Sequence, residues 1–152
     1  MFHRFDFEAE FYPDLTRLPL DLRRKLDVTG VKLGLKDWLA LSFAERSVLC
    51  HLPSDSDEEC HVFKNYLDFL RRKYCGEPIG LIEPLARSQW SSSSLPQAVS
   101  EKSAALGRAV SLEQWRGWHC HDRYALYKTA VSKNQPEAFG QILAQVLDRS
   151  ER

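Results

Sequence analysis

Three kinds of residue in this 152-residue chain have the types and spacing to do chemistry: tryptophans followed by an arginine, cysteine–histidine neighbours, and Arg-Arg-Lys triplets. Trp38 precedes Arg46, and Trp115 precedes Arg123, at the same spacing. An arginine beside an aromatic wall can grip an anion. The same pair can instead pack an interior, with the indole buried and the guanidinium on helix-end carbonyls or stacked on the ring. Both pairs persist while their surroundings differ, which favours the packing role.

Cysteine and histidine adjoin as Cys50-His51, Cys60-His61 and His119-Cys120-His121. Zinc and other transition metals take such ligands. The spacing is wrong for a local site, because no C-x2-C or H-x3-H pair is present and neighbours on a helix point about 100° apart. A metal or cluster held by Cys50, Cys60 and Cys120 stays as an alternative function, while Cys50, beside Leu49 at a helix end, reads better as a small core hydrophobe. The triplets Arg23-Arg24-Lys25 and Arg71-Arg72-Lys73 could meet phosphates, giving a nucleic-acid-binding regulator as a second alternative. Both lie toward helix C-termini, where the dipole favours cations, and read as solvated faces. No nucleophile–base pair, phosphate loop, dinucleotide fingerprint or H-E-x-x-H is present. The expectation is a protein that is not an enzyme, with no catalytic, cofactor-binding or metal residues assigned and no cofactor.

Composition narrows the partners. Lys plus Arg equals Asp plus Glu at 21 each, so the chain lacks a global field to draw nucleic acid or anionic membrane. An apolar content of 43% is that of a folded chain. The first residues have no apolar signal region, and no window approaches the ~18 apolar residues of a spanning helix. The reading is cytoplasmic, with reduced thiols and a protein partner rather than a membrane or nucleic acid.

The elements that position these residues come in two copies. Residues 18–49 align without a gap on residues 95–126, an offset of 77. Identities fall at Leu18/Leu95, Pro19/Pro96, Lys25/Lys102, Gly30/Gly107, Leu35/Leu112, Trp38/Trp115, Arg46/Arg123 and Leu49/Leu126. They include the rare Trp and the structural Pro and Gly, the mark of a repeated supersecondary unit. Pro19 and Pro96 suit a helix start, and Gly30 and Gly107 a left-handed helix stop. Capping boxes at Ser42–Glu45, Ser56–Glu59 and Ser111–Gln114 start further helices, and Pro136 lies in the first turn of the last. At the same offset Val62, Tyr66, Phe69 and Leu70 stand opposite Phe139, Leu143, Val146 and Leu147. The predicted fold is all-α: a tandem duplication of a roughly four-helix unit packed as one compact domain. Unit one covers about 16–74 and unit two about 93–151, with a surface linker at about 75–92. Ahead of them, Phe5, Phe7, Ala9 and Phe11 alternate with Asp6, Glu8 and Glu10, which predicts an extended N-terminal arm with its carboxylates in water. Any exposed apolar patch is expected on that arm or between the repeats.

The run FDFEAEF, then LPLDLRRKLDVTGVKLGLKDWLALSFAER, then a capped helix after LPSDSDEE, resembles the nitrate reductase-associated protein family of bacteria and cyanobacteria. LEQW and DRYAL are similar to its second half, and the K-L-D-x-x-G-I/V-K-L run is fairly distinctive of it. The likeness extends from about Phe5 to Leu147. Where the family pattern often has Cys after Leu-Pro, this chain has Ser54 after Leu52-Pro53. The resemblance implies a non-catalytic accessory or maturation protein of assimilatory nitrate reductase. Its partner would be that enzyme or the proteins that insert its molybdenum cofactor and iron–sulfur centre. No activity and no catalytic residue come with it.

Overall fold

Helix α1 (Leu20–Thr29) follows a residue that cannot cap it, because Pro19 offers no side-chain acceptor. Its cap comes from twelve positions upstream: Glu8 Oε2 accepts the Leu20 N–H at 2.9 Å. The other carboxylate oxygen accepts the Tyr12 hydroxyl at 2.8 Å. This need draws Glu8 inward, and it corrects the expectation of an extended arm with all its carboxylates in water. Asp6–Glu8 form a 3-10 turn, Phe5 and Glu8 are buried, and only Asp6 and Glu10 face solvent. A carboxylate that must satisfy a buried helix start outweighs the period-2 pattern.

The computed structural model describes residues 2–150. It is mostly helical, and its chain forms two compact units. Unit one takes Glu8–Ala86 with the residues before Phe5, and unit two takes Phe5–Phe7 with the chain from Arg87 onward. Unit one continues through β1 (Val31–Lys32), α2 (Leu35–Ala40), α3 (Phe43–His51) and α4 (Asp57–Cys75). Unit two holds α5 (Gln97–Ala105), α6 (Leu112–Gly117), α7 (Cys120–Val131) and α8 (Pro136–Ser150). The reciprocal capping boxes of α3, α4 and α6 are all formed, each with its Ser accepting from the N3 backbone and the N3 side chain reaching back. Leu20 and Gln97, Leu35 and Leu112, and Phe43 and Cys120 are three pairs of helix starts, each 77 positions apart. Among the described residues no helix is long and apolar enough to cross a membrane.

The core of unit one gathers Leu22, Trp38, Leu49, Phe63, Leu67 and Leu70 under α1. In unit two Trp115, Tyr124, Leu126, Phe139, Ile142 and Leu143 are buried. The segment expected as a surface linker is largely exposed and is held to unit one by backbone hydrogen bonds. Gly80–Leu81, strand β2, pairs antiparallel with β1, Val31 opposite Leu81. Beyond it the Ile82 N–H donates to Gly30 and the Leu85 N–H to Asp27, and a 3-10 turn at Arg87–Trp90 buries Trp90.

Gly30 is where that returning segment meets α1. It ends the helix at φ +74°, and a Cβ there would lie 2.7 Å from the Ile82 carbonyl oxygen and 2.8 Å from Pro84 Cγ. Gly107 has a similar φ of +72° but nothing within 4 Å of such a Cβ. Gly107→Ala is therefore expected to cost about 1–2 kcal/mol, the left-handed penalty alone. Gly30→Ala adds a backbone clash of about 1–3 kcal/mol. Urea midpoints of the two variants check this, and equal losses would contradict the Gly30 contact.

Burial, opposed by the Tyr12 and Leu20 hydrogen bonds, pushes the Glu8 carboxyl up to about 7 from 4.5. The folded chain therefore binds this proton more tightly than the unfolded chain. The contribution of Glu8 to stability is fully present below pH ~4.5, declines as pH rises to about 7, and is flat above. Its size is about 3 kcal/mol at 1.36 kcal/mol per unit. In Glu8→Gln this slope is expected to vanish, read as Tm across pH 4 to 8; an unchanged slope would place the titration elsewhere.

Candidate functional site

The tryptophans of the two pairs are built into the interior, and both members of each pair donate to backbone carbonyls. Trp38 and Trp115 are fully buried. Trp38 Nε1–H donates to the Leu15 carbonyl at 2.7 Å, and Arg46 Nη1 donates to the same oxygen at 2.8 Å and to Asp14 O at 2.9 Å. Leu15 needs that grip, since it holds φ +50°, a left-handed conformation strained for a leucine. In unit two Trp115 donates to Ser91 O at 2.8 Å, while Arg123 donates through Nε to Trp90 O at 2.9 Å and through Nη1 to Trp118 O. In each unit the pair pins the stretch of chain that leads to the first helix. Pro19 and Pro96 stand as extended residues immediately before those helices, and Gly30 and Gly107 follow them.

All four cysteines are free thiols. Burial pushes the Cys50 thiol up to about 12, away from the thiolate that metals require. Cys60 donates its S–H to the Ser54 carbonyl at 3.3 Å. In unit two His119 caps α7 by accepting the His121 N–H on Nδ1 at 3.3 Å, and the two imidazoles meet edge to face at 4.4 Å. Cys120 Sγ lies 4.0 Å from His119 Nδ1.

The first basic triplet is drawn into the interior, while the second keeps Arg72 and Lys73 exposed. Arg24 and Lys25 are buried. Arg24 Nε pairs with Asp21 at 3.0 Å, and Lys25 Nζ donates to the Leu49 and Cys50 carbonyls, capping the C-terminal end of α3. Burial lowers the Lys25 ammonium to about 8. Arg71 pairs with Asp37 at 2.6 Å, Arg72 with Asp68 at 2.9 Å and Lys73 with Glu45 at 3.0 Å.

What distinguishes unit one is what it leaves bare. On α4, Phe63, Leu67 and Leu70 are buried, while the adjoining face carries Val62 at 55% and Phe69 at 60% exposure. Their counterparts at the 77-residue offset, Phe139 and Val146, are each 2% exposed. Leu35, Leu39, Phe43 and Val48 on α2 and α3 are also exposed. The Phe5–Phe11 segment offers less, since Phe5 is buried and Phe7 and Phe11 are half-buried.

Unit one also holds a cavity of about 330 Å³ lined by residues of β1, α2 and α4 and by Ile79. Leu33, Leu41, Leu67 and Leu70 line it, with Lys32, Lys36, Asp37 and Arg71 around them. Sequence reasoning did not find it, because Arg71 lies far along the chain from the lysines and no motif joins them. One signal was available: Lys32, Lys36 and Arg71 face Ala109, Glu113 and Asp148 in the offset alignment, so the cations belong to unit one alone.

The fold and its surfaces define a helical protein whose conspicuous chemistry is a bare apolar helix face and a cation-edged cavity. The chain belongs to the conserved nitrate reductase-associated protein family, whose model matches residues 4–146. Comparison with curated proteins and with solved structures returned no match.

The shared acceptor of Trp38 and Arg46 gives a direct check on the interior role of the pair. Removing either donor leaves Leu15 O with the other, while removing both leaves a carbonyl without either of them. Trp38→Phe with Arg46→Met is therefore expected to lose about 1 kcal/mol more than the two single variants together. Urea melts of the four proteins measure this, and additivity within about 0.5 kcal/mol would show that the two donors act independently.

Proposed function

We propose that this chain is a non-catalytic accessory protein of assimilatory nitrate reductase, acting by protein–protein contact during assembly or cofactor insertion. The link to the reductase comes from family membership. The contact surface is carried by one observation: unit one leaves Val62 and Phe69 in solvent at positions where unit two buries Phe139 and Val146. Large side chains left uncovered on one helix face are the ordinary mark of a protein-binding site. A receptive apoenzyme, or a cofactor-assembly protein, would supply the missing apolar partner. The two units are read as copies of one ancestral unit, supported by helix starts 77 positions apart and by the repeated Trp and Arg. On that reading one copy kept its α8 face covered and the other freed its α4 face for a partner.

The experiment is recovery of the reductase on a tagged chain expressed in nitrate-grown cells. Val62→Glu with Phe69→Glu is expected to lower recovery at least about tenfold, the effect of losing ~1.4 kcal/mol or more at a binding centre. Circular dichroism should be unchanged, since both side chains are exposed. Undiminished recovery by the double variant would remove α4 as the docking face. Normal reductase activity and cofactor content in a deletion strain would overturn the accessory role itself.

A further inference from the structure

Beyond any protein contact, we infer that the cavity of unit one binds a small amphipathic anion: an acidic headgroup joined to an apolar body. Leu33, Leu41, Leu67, Leu70 and Ile79 make an apolar lining, and a volume of about 330 Å³ suits a small ligand. Around that lining the charge is one-sided. Lys32, Lys36 and Arg71 oppose Asp37 alone, in a chain whose overall charge is zero. Arg71 is the telling residue. One of its terminal nitrogens pairs with Asp37 at 2.6 Å, which fixes the guanidinium, while its Nε is withdrawn from water with no hydrogen-bond acceptor.

A buried donor without an acceptor costs stability and calls for a reason. An anionic headgroup beside Arg71 gives one, because a guanidinium already fixed by one carboxylate can offer its remaining N–H groups to a second acid. The two lysines add attraction without geometry, as flexible point charges. An apolar tail then replaces water against the leucines, which a bare inorganic ion would not do. The equivalent positions in unit two, Ala109, Glu113 and Asp148, carry the opposite charge balance, so the site is a property of unit one. Ala40 and Cys75 also line the cavity, and both are exposed.

Those two residues make the inference testable on the purified full chain without any partner protein. Octanoate is the probe, with octyl phosphate as the second headgroup and 1-octanol as the uncharged control, all by titration calorimetry. The expected result is binding of octanoate, octyl phosphate or both at about one per chain, at least roughly tenfold tighter than octanol. The tighter of the two acids identifies the headgroup. Lys32→Glu with Lys36→Glu is expected to weaken it by about tenfold or more, and Ala40→Trp, which fills the cavity from an exposed lining position, to abolish it. Bound probe should also slow alkylation of Cys75, read by mass spectrometry. Three results would each overturn the site: no binding of either acid, equal binding of octanol, or binding that survives Ala40→Trp and leaves Cys75 reactive. Reductase recovery plays no part in these readouts, so failure here is distinct from failure of the accessory role.

Discussion

The carbonyl of Leu15 is the point on which unit one depends. Two donors from different helices, the Trp38 indole and the Arg46 guanidinium, converge on it. The residue they hold sits in a left-handed conformation that costs free energy. Fixing it sets the path of the chain into Pro19 and α1, and α1 then carries the core and the buried Asp21, Arg24 and Lys25. Unit two applies the same residue types to the same task with different acceptors, the carbonyls of Trp90 and Ser91. The repeated pair is thus a device for pinning the entry to each unit's first helix. In unit one the Trp38 indole and the Arg46 Nη1 are engaged there.

Function on this account follows from where the units diverge. The shared tryptophans Trp38 and Trp115 and the shared leucines Leu49 and Leu126 are buried, while several residues that differ lie at the surface of unit one. Val62 and Phe69 stand bare where Phe139 and Val146 are covered, and Lys32, Lys36 and Arg71 replace Ala109, Glu113 and Asp148. A frame maintained by buried tryptophans tolerates such changes, because exposed positions contribute little to stability. The bare α4 face and the cation-edged cavity both belong to unit one.

Much of the fold was legible from local chemistry. The capping boxes at Ser42, Ser56 and Ser111, the prolines before α1 and α5, and the left-handed glycines at 30 and 107 are decided within a few residues, and each stands where its residues imply. Failures came where a distant partner outweighed the local pattern. Glu8 alternates with phenylalanines like a strand residue, yet the uncapped start of α1 takes it into the interior. Lys25 belongs to a basic triplet, yet the end of α3 takes its ammonium. The cavity was hidden for the same reason, since its cations come from a strand, a short helix and the end of a long one.

The central claim is that unit one presents the working surface. Hydrogen exchange of the full chain, alone and with saturating nitrate reductase apoenzyme, tests it most directly. Slowed exchange across α4, with α5 to α8 unchanged, is the result this account requires. Slowing confined to the helices of unit two, or none anywhere with the complex formed, would contradict it.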